Sequence, residues 1–241
     1  MNAPLAEALR AVYEAFTPYP RPIRPPASLE VGDPASDAST QVKDLLSDQI
    51  SNFDWWDVSF LDDASAYKHF LPRLLDLAIH NDRYVEATPW SVLDQLIRFK
   101  FQDWRTDERT ALISLFEQAF LAACAVGADA KGWLCCLASL GQDVTPLLEA
   151  VKTSESNQAV IWLALFLTYD VGNLFRDDPA PYWDLVDPPM RRAVGLWFLS
   201  PAFQAWLLAH LDTLQEDEHW RIETAFSVRE RLTAALGLDA P

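Results

Sequence analysis

The sequence predicts an all-α fold, an irregular multi-helix bundle or a short array of helical pairs. Three observations carry that prediction. Apolar residues recur at spacings of three and four along most of the chain, the period of a helix with one buried face. No window alternates polar and apolar residues over strand length with β-branched enrichment. Glycine is scarce, with 7 in 241 residues and no clusters, which disfavours folds that need glycine for tight turns or for close approach to phosphate.

The elements follow in order. Leu5, Leu9, Val12, Tyr13 and Phe16 make the apolar stripe of a helix over 4–16. TPYPRPIRPPASLEVGDP follows at 17–34, with six prolines. Proline fixes φ and removes an amide donor, so this reads as an extended strap or linker. Val42, Leu45, Leu46 and Ile50 mark a helix over 36–50.

FDWWDVSFLDDASAYKHFLPRLLDLAI, at 53–79, joins two tryptophans and five aspartates to a strong apolar repeat. Asp62 or Asp63 caps the helix start, where a negative charge meets the positive end of the macrodipole. Pro72 lies inside the repeat. It removes one backbone hydrogen bond, so the pattern predicts a kink near His69 or two shorter helices.

Thr88 and Pro89 open a helix over 91–101. Another starts at Thr106, with Glu108 or Arg109 beginning its exposed face and Leu112, Leu115, Phe116, Ala119, Phe120 and Ala123 buried. A short helix through Trp133 and Leu137 stops at Gly141. Further helices are predicted from Thr145 to Val151 and from Ser156 to Tyr169. The latter is apolar nearly all round and therefore central. The last helices fall near 188–198, 201–212 and 216–236. The chain reads as two helical parts, 1–125 and 126–241, packed as one globular unit.

Three segments resemble a bacterial family of unknown function: AFTPYPRP at 15–22, SFLDDASAYKHFLPRLL at 59–75, and FKFQDWRTDERTALISLFEQAF at 99–120. They are similar to that family's AF-x-x-x-PRP opening, its FL-x-x-x-A-x-x-x-YLP helix and its later helix begun by Thr-x-x-x-Arg. The resemblance covers about the first 125 residues. It implies a helical protein and brings no catalytic residue with it.

Composition narrows the function classes. The chain carries 35 acidic and 19 basic residues, a net charge of −16. That field repels nucleic acid and anionic membrane surfaces and speeds encounter with a basic protein. Half of it is concentrated: residues 30–63 hold nine acids and only Lys43 against them, a net −8. The longest apolar run, 159–167, is far below the ~20 residues of a membrane-spanning helix. The N-terminus has no basic stretch followed by an apolar one, so no secretory signal is expected. Cys124, Cys135 and Cys136 form neither a disulfide framework nor a metal spacing. Reduced, buried thiols in a cytoplasm fit them.

Catalytic grammar is thin. Gly-x-Ser-x-Gly is absent, and each cysteine sits in an apolar helix where a thiol is inert. Asp76 with His80 and Glu216 with His219 stand at helical spacing, but a dinuclear bundle site needs two Glu-x-x-His pairs and two more glutamates. The last turn around His80 reads instead as a solvated helix end. No metal or cofactor is expected.

The candidate partner-binding residues are Trp55 and Trp56 with Asp54, Asp57, Asp62 and Asp63. Aromatic anchors beside carboxylates suit recognition of a basic protein. Burial of both tryptophans beneath the strap is the structural alternative. The sequence therefore leads to a non-enzymatic acidic helical protein that binds a basic protein, in its sharper form an immunity or inhibitor protein for a cationic toxin. A helical scaffold or adaptor is the alternative, and a metal-dependent bundle enzyme the second.

Overall fold

The structure, a computed structural model, describes residues 2–20, 64–80, 88–154, 156–181 and 183–238. Among them the chain is all-α, with no strand. It divides into two compact units, Met1–Gln118 and Ala119–Pro241.

In the first unit, α1 spans Ala3–Phe16. The Asn2 side chain caps it by accepting the Leu5 amide at 3.0 Å. Leu5, Leu9, Val12 and Phe16 are buried, each contributing about 1.5–3 kcal/mol of transfer free energy. They pack toward α2, Ala64–His80. Of the two alternatives the sequence offered at Pro72, two shorter helices are not what forms: Pro72 lies inside a single helix. Tyr67, Phe70, Leu71, Leu74 and Leu75 bury its apolar face, and that packing outweighs the loss of one amide donor.

The strap also starts differently from its prediction. Thr17 and Tyr19 donate their amides to Glu14 and Phe16, so the chain first turns. The remainder of 17–34, the helix predicted over 36–50, and the Asp62/Asp63 cap lie outside the described residues.

Helix α3 spans Pro89–Arg98, with Thr88 and Ser91 in a reciprocal capping box. It ends before the predicted Phe101. Lys100 adopts φ 51°, a left-handed residue that breaks the ladder, and a 3-10 turn follows at Phe101–Asp103. Helix α4, Thr106–Val126, begins in this unit.

In the second unit, the end of α4 is closed by Gly127 at φ +70°, with Ala128 donating to the Ala123 carbonyl at 2.9 Å. That is a Schellman ending. Helix α5 (Lys131–Ser139) ends the same way at Gly141, and α6 spans Thr145–Thr153. Helix α7, Asn157–Tyr169, is the hub. Ala159 to Ala164, Phe166 and Leu167 are all buried in it, as its unbroken apolar run predicts. It packs on α6, on the 3-10 segment Val171–Phe175, and on α10 (His219–Ala235). Helices α8 (Pro188–Leu199) and α9 (Pro201–Ala209) complete the layer. Contact between α7 and α10 skips two helices, which a one-dimensional stack of helical pairs does not do. This unit is a bundle.

One helix among the described residues, α4, is long and apolar enough to cross a membrane by length and composition, with a mean hydropathy of 1.3. Leu112, Leu115, Phe116, Ala119, Phe120 and Cys124 on it are buried within the protein.

Candidate functional site

The most densely connected polar cluster is buried in the first unit. Helix α2 contributes Lys68 in its second turn, and α4 contributes Glu108 in its first. Lys68 Nζ lies 2.7 Å from Glu108 Oε2. The Glu108 side chain is fully buried and that of Lys68 is 9% exposed. An ion pair so deep persists only when every remaining donor and acceptor is satisfied.

Here the accounting closes. Lys68 donates a second hydrogen bond to the Tyr19 phenol oxygen at 3.0 Å, and its ammonium lies 4.2 Å from the centre of the Trp104 ring, a cation–π contact. The Tyr19 hydroxyl donates in turn to Glu108 Oε1. Glu108 also accepts the Arg105 backbone amide at 3.3 Å. That bond is the N3-to-N-cap half of a capping box, so the local grammar of the α4 start places the carboxylate. The Arg105 guanidinium stands 3.5 Å from the same carboxylate and donates to the Ala15 carbonyl at 3.2 Å.

Around this centre the packing is aromatic. Trp104 meets Phe16 and Phe101 edge-on, and its indole N–H donates to the Phe99 carbonyl. Phe16 also contacts the Tyr19 ring. The Tyr19 carbonyl lies 2.9 Å from His69 Nδ1. Burial, and then the hydrogen bond to Glu108, raise the Tyr19 pKa above its ordinary value.

Sequence reasoning missed this cluster and assigned Glu108 to an exposed face. The reason is physical: charges in a first helical turn are ordinarily solvated, and only the distant Lys68 makes burial tolerable. Tyr19, Lys68 and the Trp104–Arg105–Glu108 run lie far apart in the sequence and meet at a single point.

A second polar group sits on the far part of α2. The sequence pair Asp76 and His80 is in contact, with His80 Nδ1 3.0 Å from Asp76 Oδ1. Asp76 is not a solvated helix end, however. Its side chain is 15% exposed, and Arg73 (2.6 Å) and the Tyr13 hydroxyl (3.2 Å) both bind its other oxygen. Burial, with Asp76 second, raises the Tyr13 pKa. Glu216 is exposed, and His219 Nε2 lies 3.3 Å from the Leu214 carbonyl. Among the described residues no group of three or more His, Cys, Asp and Glu side chains stands together to hold a metal ion.

All three cysteines are buried. Burial pushes the Cys124 thiol up and raises Cys135 to about 12, the opposite of what a nucleophilic thiol needs. Trp55, Trp56, Asp54, Asp57, Asp62 and Asp63 lie outside the described residues.

No protein-family model, no curated protein and no solved structure matches the chain.

Proposed function

We propose that this chain is an acidic helical protein that binds a basic partner protein, in its sharper form an immunity or inhibitor protein that masks a cationic toxin enzyme in a bacterial cytoplasm. The distribution of charge carries the reading. Residues 30–63 hold nine acids and one base, while the rest of Met1–Gln118 holds ten of each and cancels. The acidity of that unit therefore belongs to one segment. Helix formation does not require such a density of like charge, which repels itself on folding, whereas capture of a cationic surface is accelerated by it.

The chemistry elsewhere supports a binding role. The buried Lys68–Glu108 pair is spent on its own neighbours. All three thiols are buried, burial raises the pKa of Cys124 and Cys135, and buried thiols suit a reducing compartment.

The test is capture from the native bacterium's lysate with the tagged protein at low salt and at 0.5 M salt. Screening shortens the reach of exposed charges to a few ångströms at such salt. A single basic protein retained at low salt and shed at high salt is the expected result. A partner held equally at both removes the electrostatic basis of the reading.

A further inference from the structure

We infer that Arg191, in the first turn of α8, holds a small oxyanion, a phosphate or a carboxylate, in the second unit. The inference is independent of the reading of residues 30–63.

Two cations are buried among the described residues, Lys68 and Arg191, each 7% exposed. Their surroundings differ in one respect. Lys68 has the Glu108 carboxylate at 2.7 Å, whereas no described carboxylate forms an ion pair with Arg191. Of the five N–H donors of a guanidinium, one is used, in a hydrogen bond from Nη1 to the Arg176 carbonyl at 3.3 Å. Nε of Arg191 is buried and makes no hydrogen bond. A guanidinium keeps its charge where a buried lysine can give up its proton. An unpaired charge in the interior is costly, and a group supplied from outside the chain removes that cost.

The local fold sets this charge under the rim of the second unit. Helix α8 packs on the 3-10 segment Val171–Phe175, and Arg191 reaches across to the carbonyl that follows that segment. Arg176 and Arg192 beside it are exposed, and the Arg192 guanidinium lies 5.9 Å from the centre of the Phe175 ring. Pro188 and Pro189 occupy the first positions of α8 and bring no amide hydrogen, and Asp187 at the N-cap makes no side-chain cap hydrogen bond. The positive end of the helix is therefore left without a capping side chain.

Geometry selects the ligand. With Nη1 on a carbonyl, the remaining edge of Arg191 is Nε with Nη2. Those two N–H bonds run parallel and match two oxygens of one carboxylate or phosphate. Asp177, Asp178 and Asp187 stand exposed in the flanking turns. Their charge repels a polyanion, so the site fits a single small ion and not a nucleic acid.

The experiment uses the full chain as wild type, Arg191→Met and Arg191→Lys. Sodium phosphate and sodium acetate are titrated separately, each against sodium chloride at equal ionic strength. Binding is read by calorimetry and stability by the thermal midpoint. The wild type should show a saturable rise in midpoint with at least one oxyanion and none with chloride, because a ligand of the folded state stabilises it. Arg191→Met keeps an apolar stem and removes the charge. It should be at least as stable as the wild type in chloride and should not respond to either oxyanion. Arg191→Lys keeps the charge without the fork and should bind roughly tenfold more weakly. It carries the test if Arg191→Met fails to fold.

A response to phosphate alone assigns a phosphate ligand, and a response to acetate alone a carboxylate. Wild type and variants that respond equally have met an adventitious ion only, which overturns the site. A wild type that responds to neither oxyanion beyond chloride overturns it as well. So does a stability difference between wild type and Arg191→Met that is the same in all three salts, because that is the signature of an arginine with a purely structural role.

Discussion

Lys68 and Glu108, forty residues apart, form an ion pair at 2.7 Å in which the carboxylate is fully buried. The pair joins the second turn of α2 to the first turn of α4 and is completed by Tyr19, three residues beyond α1. Desolvating two charges costs several kcal/mol each, recovered only by their mutual attraction and the surrounding hydrogen bonds.

Breaking that pair from one side should therefore be severe. Glu108→Ala leaves the Lys68 ammonium buried against Trp104 and should cost about 3–5 kcal/mol. Lys68→Met leaves the carboxylate with Arg105 and Tyr19 and should cost somewhat less. The double variant Lys68→Met/Glu108→Ala should lose well less than the sum of the single losses. Urea denaturation of all four proteins gives the coupling. Strictly additive losses would show that the two charges do not depend on one another.

Alkaline pH should loosen the first unit. The folded-state pKa values of Tyr13 and Tyr19 both lie above the ordinary 10.0, through burial and then through Asp76 and Glu108. A folded pKa above the unfolded one means that the folded chain holds these protons longer. The stability they contribute is whole below pH 10 and is lost as pH rises through the folded values. Absorbance of tyrosinate, followed through an alkaline titration, should show late-ionising tyrosine that Tyr13→Phe and Tyr19→Phe each diminish. Wild type and variants with identical curves would remove the assignment.

Thiol reagents should find the native protein nearly inert. Burial holds Cys124 well above the ordinary thiol range and Cys135 at about 12. Since the thiolate is the reacting species, an aromatic disulfide reagent at pH 8 should label three cysteines in denaturant and none promptly without it. Fast labelling of the folded chain would contradict their placement.

A close approach in the second unit gives a further test. A Cβ on Gly195 of α8 would stand 2.5 Å from the Phe175 ring. Gly195→Ala forces that ring aside and should cost about 1–3 kcal/mol, the range for overpacking. Adding Phe175→Leu, which shortens the obstructing side chain, should restore part of the loss. A Gly195→Ala variant as stable as wild type would mean that Phe175 yields freely.

The helical period alone determined the element list. Ala159 to Leu167 announced a central helix because a segment without a polar face has nowhere to go but inside, and α7 is that helix. Thr88 with Ser91, and Ser200 with Phe203, start helices through contacts three residues apart. Interactions so local are written in the sequence. Lys100, in the left-handed region, was not legible, because most side chains avoid that conformation and nothing in the local sequence calls for it. At Pro72 the sequence left a kink and a break both open, and only the surrounding core decides against the break.

The buried site belongs wholly to tertiary structure. Tyr19, Lys68 and Glu108 are separated by 49 and 40 residues, and each one alone looks like a surface residue. A charge is affordable in the interior only when its partner arrives from elsewhere in the chain, and that meeting is not encoded in any local period. Composition and spacing determined that this protein is helical and that its acidity is concentrated in one segment. Three-dimensional packing alone decided which charges were to be buried, because the partner that makes a buried charge tolerable comes from a distant part of the chain.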